Sequence, residues 1–209
     1  MIDYIRQKAI VEEIDYNFLT SCLSGYSNPR DKIARLIKSG AIIRVKKGLY
    51  VFGPKYSRQP FSRETLANLI YGPSYISLEY ALSFYGMIPE RVEMVTSVTS
   101  KRNKLFKTPA GIFSYAYITP TKYNIGITQI SLDEAHNIII ATKEKALADK
   151  IDRTKGINSA DKMQKYILED LRIDINEFKN LDTRLLKAIS GAYMSPSVNI
   201  LYKIKRGLK

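Results

Sequence analysis

The sequence is poor in the residues on which many catalytic and metal sites depend. Its 209 residues include one cysteine and one histidine. A single cysteine, Cys22, excludes an intramolecular disulfide and a zinc site built of several thiolates. Its neighbours Leu19 and Leu23 predict a buried, inert thiol. The single histidine, His136, stands just before an apolar strand pattern, and we interpret it as a turn residue.

Long apolar runs and glycine-rich loops are also missing. The apolar runs are strand-sized, such as residues 138–141, whereas a helix needs about 20 residues to cross a bilayer. The N-terminus carries an acid at Asp3 and lacks the basic-then-apolar plan of a signal peptide. We therefore expect a cytoplasmic protein that does not contact a membrane. Gly111 and Gly126 stand alone, so no Walker-type loop for phosphate is present.

Acidic residues are too few to balance the basic ones. Thirty-three Lys and Arg face twenty Asp and Glu, which gives a formal net charge of +13, as expected of a protein that binds a polyanion. The excess is concentrated, because residues 26–58 hold nine basic residues and one acid, whereas residues 1–25 hold two basic and four acidic residues. From residue 59 onward, the 22 basic and 15 acidic residues are spread more evenly.

A helix-turn-helix pattern leads into the basic stretch. Apolar residues recur at helical spacing over residues 16–23, and Ser24-Gly25 ends that helix. Asn28-Pro29-Arg30-Asp31 predicts the start of a second helix, with an N-cap side chain, a proline at N1 and an acid at N3. The apolar face of this helix carries Ile33 and Ile37, so its cations point outward.

A hairpin with a basic tip is expected directly after the second helix. Residues 42–45 and 49–52 read as two β-strands around Lys46-Lys47-Gly48. This is the element order of a winged helix, in which one helix enters the major groove of duplex DNA and the wing reaches the backbone. We therefore assign residues 1–58 to a winged helix-turn-helix domain that binds double-stranded promoter DNA. The predicted DNA-binding residues are Ser27, Arg30, Lys32, Arg35, Lys38, Arg44, Lys46 and Lys47.

A winged helix that contacts another protein stays open as an alternative. In that case Arg35 and Lys38 would only be solvated.

Residues 59–209 predict a larger domain of the α+β class, after a polar connector at residues 57–60. Helices are expected over residues 61–71, over 77–86 with Ser77 as N-cap, and over 143–152 with Thr142 as N-cap. Between them, strand patterns occupy residues 92–99, 105–107, 111–118, 125–130 and 137–141. The first four strands follow in succession, which favours an antiparallel sheet, and the chain is expected to be helical from Asn158 onward.

Several segments resemble the AbiEi-type antitoxins of type IV toxin-antitoxin and abortive-infection systems. The central one runs from Tyr75 to Leu82, as YISLEYAL, and continues at residues 85–89 as YGMIP. Gly48-Leu49-Tyr50-Val51 is similar to the wing of that family, Thr96-Ser97-Val98-Thr99 to its central strand, and Ile140 to Asp149 to its strand-to-helix segment. The resemblance spans residues 20 to 155, in the family's order.

The resemblance implies a winged-helix repressor of its own operon, joined to a domain that counters a nucleotidyltransferase-like toxin. Such an antitoxin is expected to act without a stable complex with the toxin. Where the family usually has serine or threonine and then proline before the glutamate, this chain has Thr142-Lys143. A solitary winged-helix regulator is the alternative reading.

We expect no enzymatic activity, cofactor or metal. The best enzymatic alternative is a magnesium-dependent nuclease. In it, Glu177 and either Asp174 or Asp170 would bind the metal, and Lys179 would assist the chemistry. Tyrosines among basic residues can stack on unpaired bases, which permits a second nucleic-acid surface. Its cations would be Lys101, Arg102, Lys104 and Lys107, although tyrosine packing in the core explains most of the tyrosines.

Overall fold

A computed structural model describes residues 1–208 and contains two hydrophobic cores. The smaller core is built from residues 1–58, the N-terminal unit, and the larger core mainly from residues 59–208, the larger unit. Each unit mixes helices with strands, so the expected α+β class is confirmed. Every helix within residues 1–208 falls short of the length and apolarity that crossing a membrane requires.

The N-terminal unit combines three helices with a three-stranded antiparallel sheet of strand order β1-β3-β2. Its elements in chain order are α1 (Ile2–Lys8), β1 (Glu13–Asp15), α2 (Tyr16–Cys22), α3 (Pro29–Lys38), β2 (Ile42–Lys46) and β3 (Leu49–Phe52). Leu19, Leu36 and Ile42 are buried in the centre of this unit, where helices and sheet meet. The helix, turn, helix and hairpin expected from the sequence are therefore present, whereas α1 and β1 are not apparent in the sequence pattern.

Two local expectations in the N-terminal unit need correction. Asn28 stands at the N-cap position of α3, but its side-chain amide donates to the Asp31 carboxylate at 2.8 Å instead of accepting from a helix N–H. The hydrogen bond to the Asp31 carboxylate thus takes the place of the expected cap bond. Cys22 is half-buried instead of fully buried, and burial raises the pKa of its thiol.

The larger unit is organised around a six-stranded sheet of order β6-β7-β5-β4-β9-β8. Its strands are β4 (Ser74–Ile76), β5 (Val95–Thr99), β6 (Lys104–Thr108), β7 (Gly111–Tyr117), β8 (Ile127–Ser131) and β9 (Asn137–Ala141). The first helices are α4 (Arg63–Ile70), α5 (Leu78–Phe84) and α6 (Pro120–Tyr123). Buried residues of the central strands, such as Ile76, Val98 and Ile140, form the middle of the larger core.

The expectation of an antiparallel sheet holds only in part, because the sheet of the larger unit is mixed. β6 and β7 form a hairpin across Pro109-Ala110, but β5 pairs with β7 in parallel, and β4 pairs with β9 in parallel. The tight turn makes β6 and β7 neighbours, and β5 then lies on the other side of β7 instead of beside β6. A strand pattern shows which side chains share a face, but it does not show which strand pairs with which. The order of strands along the chain is therefore not enough to predict whether neighbouring strands in the sheet are parallel or antiparallel.

The C-terminal part is helical from residue 160, as expected. After α7 (Lys143–Arg153), it contains α8 (Ala160–Lys165), a π-helical turn over Tyr166–Asp170, α9 (Ile175–Lys179), α10 (Thr183–Tyr193) and α11 (Pro196–Gly207). Thr142 caps α7 by accepting from the backbone N–H of Lys145, as the sequence predicts. Ser77 precedes α5, but its hydroxyl makes no cap bond and donates to Asp149 instead.

The two units are joined near two buried acids, Glu13 at the start of β1 and Glu12 just before it. Glu12 accepts from the backbone N–H of Arg58, and Glu13 accepts from that of Ser62 and contacts His136 Nε2 at 3.1 Å. His136 is therefore more than a turn residue, because its imidazole also contacts Asp133 at 2.8 Å. Burial disfavours the charged imidazolium, but the two carboxylates outweigh burial and raise the pKa of His136.

Apolar contacts reinforce this junction. Val45, Leu49 and Val51, on the hairpin of the N-terminal unit, are buried and belong to the larger core. The opposite side of the same sheet, with Ile42, Tyr50 and Phe52, packs in the smaller core. The hairpin is thus covered on both faces, and the connector at residues 57–60 joins two units that share an apolar boundary.

Candidate nucleic-acid interface

The basic stretch, residues 26–58, begins in the turn between α2 and α3. The Asp15 carboxylate caps α2 by accepting from the backbone N–H of Phe18 at 2.7 Å. Leu19 and Leu23 bury the inner face of α2, and the chain then turns to Pro29, the first residue of α3. The turn carries Ser27, which is exposed.

Helix α3 separates an apolar side from a cationic side. Ile33 and Leu36 are buried, whereas Arg30, Arg35 and Lys38 are exposed. Ala34 is also exposed and lies on the outer face, at helical spacing between Arg30 and Lys38. A small residue in the middle of the outer face lets a second surface approach the helix backbone closely, while the longer cations flank it.

The cations of this surface are not neutralised within the protein. None of Arg30, Arg35 and Lys38 forms an ion pair with any residue in the part of the chain that the structure describes. Two cations near the start of the helix rest against aromatic side chains. Arg30 Nε donates to the Tyr16 hydroxyl at 3.3 Å, which raises the pKa of Arg30, and Lys32 Nζ lies 4.8 Å from the centre of the Tyr26 ring.

The hairpin contributes fewer cations than the sequence suggests. Arg44 and Lys47 are exposed, but Lys46 is half-buried and its ammonium donates to the carbonyl of Ile70 in the larger unit. Only Lys47 and Gly48 separate β2 from β3, and the Gly48 carbonyl accepts from the backbone N–H of Tyr16 at 2.9 Å. The turn is therefore short and held against the start of α2.

The structure thus leaves seven of the eight predicted residues on the surface or at its edge, and turns one inward. Ser27, Arg30, Arg35, Lys38, Arg44 and Lys47 are exposed, Lys32 is half-buried, and Lys46 is engaged with Ile70. Tyr16 and Tyr26, which hold Arg30 and Lys32, are the residues that the sequence reasoning missed. Both lie outside α3, and no periodicity links them to it.

Two of the three carboxylates of the nuclease alternative, Asp174 and Glu177, are used in other contacts. Asp174 caps α9 by accepting from the backbone N–H groups of Asn176 and Glu177, and Glu177 forms an ion pair with Lys143 at 2.9 Å. Asp170 is exposed at the end of the π-helical turn. Within residues 1–208, no three histidine, cysteine or acidic side chains are grouped so that they could hold a metal ion.

The most strongly perturbed ionisable groups lie elsewhere, in a network inside the larger unit that we call the Asp149 network. The Asp149 carboxylate accepts from Ser77 Oγ at 2.7 Å, from the Tyr75 hydroxyl at 3.1 Å and from the Tyr193 hydroxyl. Lys145 Nζ lies 3.4 Å from the same carboxylate. It donates to the Tyr193 hydroxyl and to the carbonyl of Lys122, each at 2.5 Å.

The Asp149 network is closed to solvent and its polar atoms have partners. Asp149 and Lys145 are both at most 1% exposed. Burial raises the pKa of Asp149 against the opposing effect of Lys145, and burial lowers the pKa of Lys145. Perturbed ionisable groups often mark active sites, but here the side chains of Asp149 and Lys145 are sealed from solvent and bonded to one another, which suits a structural role. Two segments that carry the antitoxin resemblance, around Tyr75 and Lys145, meet in this network.

We predict that replacing Asp149 strongly destabilises the protein. Asp149→Ala leaves the Lys145 ammonium buried without its counter-charge, and the free energy of unfolding should fall by about 3–5 kcal/mol. Urea unfolding followed by circular dichroism measures this difference. Lys165→Ala is the control, because it removes an exposed ion pair with Glu169 and should change stability by less than about 1 kcal/mol. Equal unfolding midpoints for Asp149→Ala and the unaltered protein would contradict the structural role.

Comparison with known proteins gives no matching family model and no matching curated sequence.

Proposed function

We propose that the chain binds promoter DNA through a winged helix-turn-helix formed by the N-terminal unit. The single observation that carries this proposal is the outer face of α3, where Arg30, Arg35 and Lys38 are exposed and lack ion-pair partners within residues 1–208. An α-helix fits the major groove, and arginine can bond to the edge of guanine through two N–H groups. In this proposal α3 is the recognition helix.

The element order and the sheet support the winged-helix interpretation. The elements follow in the order α1, β1, α2, α3, β2 and β3, with β1 paired to β3, and this order supports a winged helix in which the β2–β3 hairpin is a short wing. Lys47 at the tip is placed to contact phosphate, as is Arg44 on β2. Lys46 is left out of the proposed contact surface because its ammonium is bonded to Ile70.

We further propose that this DNA binding serves an antitoxin of the AbiEi type, which represses its own operon and counters a nucleotidyltransferase-like toxin. The support is the resemblance of five segments between residues 20 and 155. The larger unit would carry the neutralising activity, without a stable complex with the toxin. A solitary regulator would share the DNA-binding surface but lack this second activity, so the two readings differ in one measurable property.

We predict that the cations of α3 and of the turn act in different ways. Arg35→Ala should weaken binding to the promoter duplex by about 1–3 kcal/mol and weaken binding to scrambled duplex much less, because it removes a contact to a base. Lys47→Ala should weaken binding to both duplexes alike and reduce the slope of log K against log salt by about 0.9, because it removes one phosphate contact. Gel shifts at several salt concentrations measure both effects.

Lys46→Ala is the matched control for Lys47→Ala, since it removes the same charge from the neighbouring residue. Because its ammonium is held by Ile70, the salt slope should stay close to that of the unaltered protein. A slope that changes with Lys46 and not with Lys47 would reverse the proposed orientation of the turn. Unchanged promoter affinity in Arg35→Ala would remove that residue from base recognition.

We predict that antitoxin activity survives the loss of DNA binding. A double variant, Arg35→Ala/Lys38→Ala, should rescue cells from a nucleotidyltransferase-like toxin encoded by an adjacent reading frame. Both replaced residues lie on α3, whereas the proposed neutralising activity belongs to the larger unit. The rescue is measured as colony counts, with each protein expressed from an unrelated promoter at equal abundance. The unaltered protein and an empty vector set the two limits. If even the unaltered protein fails to rescue, the chain is better described as a solitary regulator.

A further inference from the structure

An open cavity on the larger unit combines aromatic and cationic side chains. It encloses about 490 Å³ and is lined by Tyr71, Ser100, Lys101, Arg102 and Tyr117. We call it the Tyr117 cavity. Its volume falls within the range of small-ligand sites, roughly 300–1,000 Å³. No acidic residue lines it, so its chemistry is that of aromatic faces beside positive charges.

The backbone around Tyr117 is held from two sides. The backbone N–H of Tyr117 donates to Asn103 Oδ1 at 2.6 Å, and its carbonyl accepts from Arg153 Nη1 at 2.9 Å. The side chain is nevertheless 45% exposed, although Tyr117 lies at the end of a strand of the central sheet. A fixed backbone with an exposed ring is the arrangement expected of a stacking platform, because little conformational freedom is lost on binding.

The loop beside Tyr117, residues 100–103, is equally well fixed. Lys101 Nζ donates to the carbonyl of Gly72 at 2.6 Å, and the backbone N–H of Lys101 donates to Thr99 Oγ1 at 3.2 Å. Tyr71 is packed against Phe106 and Tyr115, with ring centres 5.9 and 5.3 Å away, and forms a firm wall. Arg102 differs from these residues, because its side chain is exposed and makes no ion pair within residues 1–208.

The electrostatic setting of the cavity is cationic over a long stretch of chain. Between Glu93 and Asp133 the sequence has no acidic residue, and its five basic residues are Lys101, Arg102, Lys104, Lys107 and Lys122. Only Lys122 has an ion-pair partner among them in the described part of the chain, namely Asp152 at 2.7 Å. Arg153, whose guanidinium donates to the Tyr117 carbonyl, is a further cation beside the backbone of Tyr117.

We propose that the Tyr117 cavity binds an unpaired nucleotide of a single-stranded nucleic acid. The base stacks on the exposed ring of Tyr117, and Arg102 binds the adjacent phosphate. A duplex would not use the exposed ring in this way, because its bases are stacked on one another and their faces are covered. The inference goes beyond the proposed duplex binding, since it concerns residues of the larger unit alone.

The test measures the affinity of the full chain for short single strands by fluorescence anisotropy. The probes are a labelled twelve-nucleotide thymidylate strand and a uridylate strand of the same length, which distinguish DNA from RNA as the preferred ligand. Tyr117→Ala should weaken binding at least fivefold and up to about 150-fold, the effect of removing one stacked base. Tyr117→Phe keeps the ring and should bind within about twofold of the unaltered protein.

Arg102→Ala provides a second, independent variant, because its exposed side chain is not needed for folding. It should reduce the slope of log K against log salt by about 0.7, the value for one phosphate contact to a single strand. Tyr4→Ala and Lys203→Ala are the controls. Tyr4 is also an exposed tyrosine with a lysine near its ring, and Lys203 is an exposed lysine on α11. Neither control should change the affinity.

The double variant Arg35→Ala/Lys38→Ala separates this cavity from the duplex-binding surface. It should bind the single strands as the unaltered protein does. The proposal is overturned if Tyr117→Ala and Arg102→Ala bind the strands as tightly as the unaltered protein, or if the unaltered protein does not bind either strand. Loss of single-strand binding in the α3 variant, with no effect at Tyr117, would place that binding on the N-terminal unit instead.

Discussion

The buried carboxylate of Asp149 is the constraint on which the arrangement of the larger unit depends. A charge without partners inside a protein is very costly, so the groups around it must be held in fixed positions. Its partners come from β4 (Tyr75), from the residue after β4 (Ser77), from α7 (Lys145) and from α10 (Tyr193). This one carboxylate therefore fixes the central sheet, the helix behind it and a helix from the C-terminal part relative to one another. The Tyr117 cavity is built on the same sheet, at the end of β7.

At the junction between the N-terminal unit and the larger unit, two acids are buried, whereas the cations of α3 remain exposed. The acids Glu12 and Glu13 are buried at the junction, where they accept from backbone N–H groups and contact His136, and Arg6 pairs with Glu12 at 3.2 Å. The cations Arg30, Arg35 and Lys38 of α3 are exposed to solvent. Because Glu12 and Glu13 are buried, their negative charges do not neutralise the exposed cations of α3. The exposed surface of the N-terminal unit is therefore more positive than the net charge of the unit suggests. Of the five acids in this unit, only Asp3, Asp15 and Asp31 are exposed.

The sequence predicted the positions of helices better than the pairing of strands or the contacts of individual side chains. Helix α3 could be placed because Pro29 and Gly40 mark its ends, and the hairpin because Gly48 marks its turn. Strand β4 has three residues, too few to show an alternating pattern, and the parallel pairing of β5 with β7 depends on contacts that no local pattern encodes. The inward direction of Lys46 follows from Ile70, which lies in the other unit. In the sequence, Lys145 and Asp149 look like a solvated i,i+4 ion pair on a charged helix. Helical periodicity cannot show that Asp149 is buried, because its partner Tyr193 lies 44 residues further along the chain.

The central claim is that the outer face of α3 lies against duplex DNA. Ala34 lies in the middle of that face, so a cysteine there can carry a photoactivated crosslinker once Cys22 is replaced by alanine. The variant Cys22→Ala/Ala34→Cys should crosslink to bases of the promoter duplex on irradiation. The matched variant Cys22→Ala/Asn199→Cys, labelled at an exposed position on α11, should not. Crosslinking from position 199 and none from position 34, at equal labelling and full occupancy of the duplex, would contradict the account.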